Sequence, residues 1–345
     1  MRRIVKSQSY PNLQYAIKRK ENHMDSKNNG LFAGLKQNQK YTLLLMAALA
    51  ILLIVCLILL VIASIDFGKD DSDVELPGGE SNYTIENAAP YTPNSTELLS
   101  GSLVVVNKDH KFGLTDDKVK LVDPYQYRLD NEADAKNPAY RIATNVSIML
   151  TEETTANLHN MLTDLNSSTG SVALIATAHR TVEAQKEFPK PAAPGYSDFH
   201  TGMLVSLKVY GSGASPDLTA EGNENMYGWL LNNAHKYGFV QRYPTGKEQS
   251  THVSDYLSCF RYVGVAHATY MKENNLCLEE YIAKLKETKP TLDNPLTITV
   301  KNSSNNGVYA VYYYDFAEGE IQVPASNYTI SSTNTGGIVV TVKLK

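Results

Sequence analysis

Two side chains with distinctive chemistry lie in the central part of this sequence. Arg180, in the segment HRTVEAQ, carries a guanidinium group that makes directional, charge-assisted hydrogen bonds to carboxylate or carbonyl oxygens without a metal ion. Cys259, just before the segment FRYVG, has a thiol that can serve as a zinc ligand. Tight zinc sites need three or four such donors, so Cys259 alone does not predict a metal centre.

The hydrophobic pattern predicts the elements that must position these side chains. The 345 residues exceed one average domain of about 150. Between residues 100 and 288, strand-like runs such as VALIATA alternate with helix-like stretches such as TEETTANLHNMLTDL, which predicts a mixed α+β domain. Two prolines mark a boundary near residues 289–295. Strand-like runs separated by Asn, Ser and Gly turns then predict a small all-β module over residues 295–345.

Three consecutive tyrosines fall in this β module. Tyr312, Tyr313 and Tyr314 either pack within the sheet or form an exposed sugar-binding platform. Aromatic residues on short strands mostly serve sheet packing, so packing is the favoured interpretation.

An apolar segment near the N-terminus predicts a membrane anchor. Residues 43–65 contain no charged side chain and are long enough to cross a hydrocarbon core of about 30 Å. A cleaved signal peptide is the alternative, but the apolar run is longer than in most such peptides. We therefore assign residues 1–40 to a basic cytoplasmic tail, 41–65 to a single transmembrane helix and 66–99 to a polar linker.

The charge distribution supports this topology and excludes one class of partner. Residues 1–40 hold nine Lys or Arg against two acids, a net charge of +7, so the remainder of the chain, whose total is −4, carries −11. The positive-inside rule places the N-terminus in the cytoplasm and the bulk of the chain outside the cell membrane. A net-acidic remainder argues against a nucleic-acid partner. Cys259 and Cys277, the two cysteines outside the apolar segment, are expected to be buried thiols, with a disulfide as the alternative.

Several segments, in the same order, resemble the VanY-type D-alanyl-D-alanine carboxypeptidases, zinc enzymes that remove the terminal D-Ala from peptidoglycan stem peptides. These segments are LVVVNKDH, ATAHRTVEAQ, PGYSDFHTGMLVSL, WLLNNAHKYGFVQRYPTGKE and FRYVG, and the resemblance extends over roughly half of the chain. It implies an α+β fold in which helices surround a central antiparallel sheet and a substrate cleft crosses that sheet.

At the positions that hold zinc in this family, the chain departs from the family pattern. The family has a His and an Asp ligand in the segment corresponding to PGYSDFHTGMLVSL, and a general-base Glu and a third ligand, His, before FRYVG. The corresponding residues here are Phe199, Ser206, Tyr256 and Cys259. His200 is one position from the expected ligand, but on an extended segment it should point to the opposite face. We therefore predict that neither the general base nor the metal site is intact, and that no cofactor is bound.

Other residues match the positions that the family uses to contact its substrate. By this resemblance Arg180, Gln185 and Ser197 are the predicted substrate-binding residues. The alternative is that Arg180 pairs with an internal acid and Gln185 faces solvent. Arg261, in FRYVG, is expected to be structural.

Three functions follow as hypotheses. The leading one is a membrane-anchored pseudoenzyme that binds a peptidoglycan stem peptide or a cell-envelope protein without hydrolysing it. The alternative is an active D,D-carboxypeptidase with an unusual zinc site. The third is a structural spacer that presents the C-terminal β module. The expected loss of the zinc site favours the first hypothesis over the second. Bound zinc lowers the pKa of water from about 15.7 to about 7, so its loss removes roughly eight powers of ten in hydroxide at neutral pH.

Overall fold

The computed structural model describes residues 87–131, 136–211, 216–301 and 305–344, together with Met46 and Ile85. The chain divides into two units, Met1–Glu75 and Leu76–Lys345, and all the elements named below belong to the second. The predicted transmembrane segment, residues 43–65, lies outside the described residues except for Met46. Among the helices of the described ranges, none is long and apolar enough to cross a membrane.

The described residues form seven α-helices. They are α1 (Pro124–Asn131), α2 (Glu152–Thr169), α3 (Val182–Glu187), α4 (Glu224–Asn233), α5 (Glu248–Thr251), α6 (Val265–Glu273) and α7 (Leu278–Thr288). The sequence of α2 explains where this helix begins and ends. Glu152 and Glu153 lie in its first turn, where carboxylates stabilise the helix dipole, and Gly170 ends it with a φ of +70°.

A sheet of five strands forms the centre of the described α+β part. Its order is β2 (Tyr140–Ile142), β3 (Val172–Thr177), β4 (Leu204–Tyr210), β6 (Cys259–Tyr262) and β5 (Phe239–Gln241). The last four strands pair antiparallel, as expected, but β2 runs parallel to β3. The expectation of a wholly antiparallel sheet is therefore wrong at this edge, because α2 joins β2 to β3 as a helical crossover.

A second sheet lies in the C-terminal part of the chain. Within the described residues its order is β10 (Tyr328–Ser332), β11 (Gly337–Lys343), β8 (Gly307–Asp315) and β7 (Leu296–Val300), all antiparallel. A separate pair joins β1 (Ala89–Tyr91) to β9 (Ile321–Val323). Tyr312 and Tyr313 are buried, which confirms the packing interpretation for these two residues.

One hydrophobic cluster packs two helices against the second sheet. Met271, Tyr281 and Leu285 from α6 and α7 pack with Val311 and Tyr313 from β8. The imidazole of His267 adds a polar link, with one ring nitrogen 2.8 Å from the Tyr281 hydroxyl and the other 2.9 Å from that of Thr341. The helices α6 and α7 therefore bury apolar surface against the second sheet. The assignment of separate domains stays a prediction.

Candidate functional site

The predicted site lies where β3, β4 and β6 approach one another. Arg180 follows β3, and its backbone N–H donates to the Phe199 carbonyl. Residues Asp198–Thr201 form one turn of 3₁₀ helix, which Gly202 ends with a φ of +68° before β4 begins. The Thr201 hydroxyl donates to the Asp198 carbonyl at 2.7 Å and so holds the turn. The expectation of an extended segment here is wrong, because this side-chain bond and the left-handed glycine favour a turn.

His200 is fixed by backbone groups. Its Nε2 accepts from the Gly195 N–H at 2.9 Å, so its Nδ1 carries the proton and donates to the Arg180 carbonyl at 2.7 Å. Burial lowers the pKa of His200, in keeping with a neutral ring. Both ring nitrogens are occupied, and His200 therefore has none left to coordinate a metal ion.

The structure brings together the four residues that the resemblance places at the family's ligand and base positions. Phe199 and Cys259 are 1% and 0% exposed and pack together with Leu204 and Tyr243, with Tyr256 against the edge of this group. Ser206 lies opposite Cys259 in the pairing of β4 with β6. We call Phe199, Ser206, Tyr256 and Cys259 the neutral cluster.

The chemistry of the neutral cluster does not fit a zinc ion. Burial raises the pKa of the Cys259 thiol to about 12, an effect that Ser206 and Arg180 only partly offset, so forming the thiolate that zinc requires costs more here than at an exposed cysteine. Burial also raises the pKa of the Tyr256 phenol. Phe199 has no donor atom, and the Ser206 hydroxyl lies 3.3 Å from that of Ser258. No group of three His, Cys, Asp or Glu that could hold a metal ion occurs within the described ranges.

Arg180 places its guanidinium group directly on the neutral cluster. The guanidinium carbon lies 4.5 Å from the centre of the Phe199 ring and 5.5 Å from that of Phe188. Nη1 donates to the Lys190 carbonyl at 3.1 Å and to the Gln185 side-chain oxygen at 3.4 Å. The predicted alternative, pairing with an internal acid, does not occur within the described part of the chain.

Gln185 and Ser197 are both fully buried. The Gln185 amide nitrogen donates to the carbonyls of Phe188 and Ala192 at 2.7 and 2.8 Å, which holds the loop after α3. The alternative in which Gln185 faces solvent is therefore wrong. The Ser197 hydroxyl has no hydrogen-bond partner among the residues that the structure describes. That these two residues contact a ligand stays a prediction, and the geometry of Gln185 gives it a structural role.

Beneath the neutral cluster lies a buried network of charges that the sequence did not reveal. Asp198 accepts from Nε of Arg242 at 2.5 Å and from Nε of Arg261 at 3.0 Å, and all three side chains are fully buried. Arg242 also binds the Glu279 carboxylate through Nη1 and Nη2 at 2.9 and 2.7 Å. Arg261 is structural, as expected. Asp198 and Arg242 are 44 positions apart, and no spacing rule connects them.

Cys259 and Cys277 are free and buried, which confirms the thiol interpretation over a disulfide. Cys259 belongs to the neutral cluster. Cys277 forms a capping box with Glu280 at the start of α7, so its role is local and structural.

The comparisons with known proteins bear on the family that the chain resembles. A family model described as "VanY: D-alanyl-D-alanine carboxypeptidase" matches residues 183–265. A D-alanyl-D-alanine carboxypeptidase of Enterococcus faecium is 29% identical over 273 residues, which cover 76% of this chain and 82% of that protein. The putative carboxypeptidase YodJ of Bacillus subtilis (strain 168) is 36% identical over 100 residues, or 28% of this chain and 35% of that protein. The resemblance to VanY-type carboxypeptidases is thereby confirmed.

A solved structure supports the fold. The vancomycin resistance D,D-dipeptidase VanXYg, crystallised with a D-Ala-D-Ala phosphinate analogue, superposes with a TM-score of 0.58 at 24% identity. The match covers 74% of this chain and 99% of that one. At this identity the likeness concerns the fold alone.

Proposed function

We propose that this relative of the VanY-type D-alanyl-D-alanine carboxypeptidases is a pseudoenzyme that binds a peptidoglycan stem peptide, or a cell-envelope partner, without hydrolysing it. One observation carries the proposal: a ring, two hydroxyls and a neutral thiol occupy the positions at which the family has its zinc ligands and general base. Such groups neither bind zinc tightly nor accept a proton from water at neutral pH.

Binding is supported by what surrounds the neutral cluster. Arg180 is half-buried and keeps a cation beside the position of the lost metal site. The relatives named D-alanyl-D-alanine carboxypeptidase point to peptidoglycan peptides as the ligand class. The active-enzyme alternative requires a zinc site that the donors of the described residues do not provide.

Zinc content and hydrolysis test the proposal directly. The full 345-residue chain, purified in detergent, is expected to contain far less than one zinc per chain by elemental analysis, even after incubation with zinc. It should release no D-Ala from a stem pentapeptide but should bind that peptide in calorimetry. Stoichiometric zinc with EDTA-sensitive release of D-Ala would establish the active-enzyme alternative instead.

A gain-of-site variant provides the matched control. It combines Phe199→His, Ser206→Asp, Tyr256→Glu and Cys259→His, which restores the family's ligands and base at all four positions. We expect this variant to bind zinc under conditions in which the unaltered chain does not. If both proteins bind zinc equally, the metal is held elsewhere and the interpretation of the neutral cluster fails.

The cellular location forms a second part of the proposal. Residues 43–65 would anchor the chain in the cell membrane, with residues 1–40 in the cytoplasm and the rest outside. The chain should then resist extraction from membranes by alkaline carbonate, and an added protease should digest residues beyond 85 only from the outer face. Recovery of the chain in the carbonate supernatant would contradict the anchor.

The spacer alternative makes a different prediction. If the chain only presents residues 295–345, then altering Arg180 should change no binding property. Comparing stem-peptide binding by the unaltered chain and by Arg180→Gln separates the two functions.

A further inference from the structure

A second cavity, of about 440 Å³, opens between α2, the start of α6 and the second sheet. Tyr262, which lines this cavity, follows Cys259 by three positions on β6, so the two side chains point to opposite faces of the central sheet. Among the described residues, no member of the neutral cluster lines it. The cavity is therefore separate from the site described above.

The wall formed by α2 carries acceptor oxygens on side chains that are held in place. Glu153 Oε1 accepts from the Tyr262 hydroxyl at 2.6 Å, and the Asn157 amide nitrogen donates to the Glu153 carbonyl at 2.9 Å. No described residue donates to Glu153 Oε2 or to the Asn157 amide oxygen. Both residues line the cavity, one turn apart, so this wall offers two acceptors to the hydroxyl groups of a ligand.

The facing wall, from the second sheet, carries a half-buried aromatic ring and hydroxyl groups. Neither the Tyr309 nor the Thr329 hydroxyl has a hydrogen-bond partner in the described part of the chain, and both residues line the cavity. A tyrosine ring presents an apolar face together with a polar edge. His267, which is 4% exposed, has both ring nitrogens engaged by Tyr281 and Thr341, so it shapes the wall without offering a free donor.

The charge of the lining argues against an anionic ligand. Glu153 is the single acid among the described lining residues, and no lysine or arginine accompanies it there. Burial lowers the pKa of His267 to about 3, so its ring is neutral at physiological pH. A phosphate or carboxylate in this cavity would therefore meet a negative charge and no cation in the wall.

We propose that this cavity binds a neutral saccharide, whose hydroxyl groups donate to Glu153 and Asn157 and whose C–H face lies against the Tyr309 ring. A hydroxyl-rich ligand satisfies the polar groups of both walls, whereas an apolar ligand would leave them unpaired. Cleavage of a glycosidic bond requires a pair of carboxylates, and the described lining has one, so the site binds without cleaving. The inference goes beyond the proposed function, because the saccharide and the stem peptide occupy separate sites.

Titration of two neutral disaccharides into the full chain tests the proposal. N,N′-diacetylchitobiose carries acetyl methyl groups that suit Val265 and Ile330 of the same lining, and cellobiose has hydroxyls in their place. The detergent must have no sugar headgroup, so lauryldimethylamine oxide is used. We expect saturable binding in saturation-transfer NMR, with a dissociation constant of about 1 mM or tighter for at least one of them. Saturation by neither at about 20 mM would overturn the proposal.

Three variants locate the binding site. Glu153→Gln keeps the shape of the side chain but loses the charge, and it should weaken binding at least tenfold. Thr329→Trp, at an exposed position of the lining, should fill the cavity and abolish binding. Glu152→Gln is the matched control, because Glu152 is an exposed acid of the same turn that does not line this cavity, and it should leave the affinity unchanged within twofold. Unchanged affinity in both Glu153→Gln and Thr329→Trp would overturn the assignment.

A parallel titration with N-acetyl-D-alanyl-D-alanine separates this inference from the proposed function. Thr329→Trp should lose the saccharide and keep the peptide, with the melting temperature of the unaltered chain by circular dichroism. Saccharide binding without peptide binding by the unaltered chain would sink the proposed function alone, and the reverse would sink this inference alone. Loss of both ligands by a folded Thr329→Trp variant would show that the two sites are not separate. If that variant does not fold, the comparison of Glu153→Gln with Glu152→Gln decides.

Discussion

Two neighbouring residues of the same turn, Asp198 and Phe199, lie in opposite electrostatic surroundings although both are fully buried. Asp198 is held between Arg242 and Arg261, inside a network of paired charges. Phe199 faces a thiol and two tyrosine rings, with Arg180 over its own ring. The side of the turn that meets the two arginines therefore keeps its charges, and the neutral cluster on the other side contains no acidic residue.

The two sides of the turn therefore differ in what a substitution does to the stability of the fold. A buried charge that has lost its partner costs several kcal/mol, so removing one member of the network leaves the others unpaired. The neutral cluster contains no ion to leave unpaired, so a change within it alters packing but leaves no charge of the cluster without a partner. The four experiments below test this contrast, from the largest expected effect to the smallest.

Replacing Asp198 should have the largest effect. Asp198→Asn removes the negative charge between two fully buried arginines, and we expect the free energy of unfolding to fall by about 3 to 5 kcal/mol. Urea denaturation followed by the fluorescence of Trp229, the single tryptophan, measures this change. Asp130→Asn, at an exposed carboxylate of α1, is the control and should cost under about 0.5 kcal/mol. A loss under about 1 kcal/mol at Asp198 would contradict the network.

Glu279 should matter less than Asp198. Its side chain is 13% exposed, and Arg242 keeps Asp198 when Glu279 is neutralised. Glu279→Gln should therefore cost about 1 to 3 kcal/mol, the range for hydrogen bonds to charged groups. Glu183→Gln, which removes the exposed ion pair with Lys186, should cost under about 1 kcal/mol. Equal losses for both variants would show that burial does not strengthen the Glu279 pair.

The buried thiol should make stability depend on alkaline pH. Burial raises the pKa of Cys259 from 9.0 to about 12, so between these values only the unfolded chain releases the proton. The folded state then binds more protons, and its stability falls by up to about 1.4 kcal/mol per pH unit.

Comparison with a variant isolates this thiol from the buried tyrosines, which titrate in the same range. The difference in unfolding free energy between the unaltered chain and Cys259→Ala should shrink as the pH rises from 8.5 to 10.5. A difference that stays constant would mean that the folded thiol ionises normally.

The smallest effect is expected at Ser206. Its hydroxyl lies 3.3 Å from that of Ser258 and hydrogen-bonds the Cys259 thiol, a weak partner, so Ser206→Ala should change the unfolding free energy by under about 1 kcal/mol. The zinc content should be unaffected. A loss above about 2 kcal/mol, or a change in bound metal, would show that the hydroxyl does more than its contacts imply.

Some of these features follow from local sequence and others only from tertiary structure. Helix α2 and the strands β3 and β4 are evident from periodicity and flanking turns. The convergence of Phe199 and Cys259 follows from the resemblance, because the family brings these positions together. The parallel edge strand β2 is not evident, because three residues carry too little pattern to fix their direction.

The buried environment of Gln185 shows why side-chain roles are harder to predict than elements. Its amide nitrogen donates hydrogen bonds to the loop carbonyls of Phe188 and Ala192. A polar residue on a short helix does not by itself predict these hydrogen bonds. The pairing of Asp198 with Arg242 likewise depends on how β4, β5 and β6 pack. Long-range pairs of this kind become visible only when the chain is folded.

The pairing of β1 with β9 determines where tension would enter the molecule. A force that pulls on the chain ahead of Ala89 reaches this three-residue antiparallel pair first, and only afterwards the segments that carry Arg180 and Phe199. This short pair would therefore separate before the segments that carry Arg180 and Phe199 are disturbed.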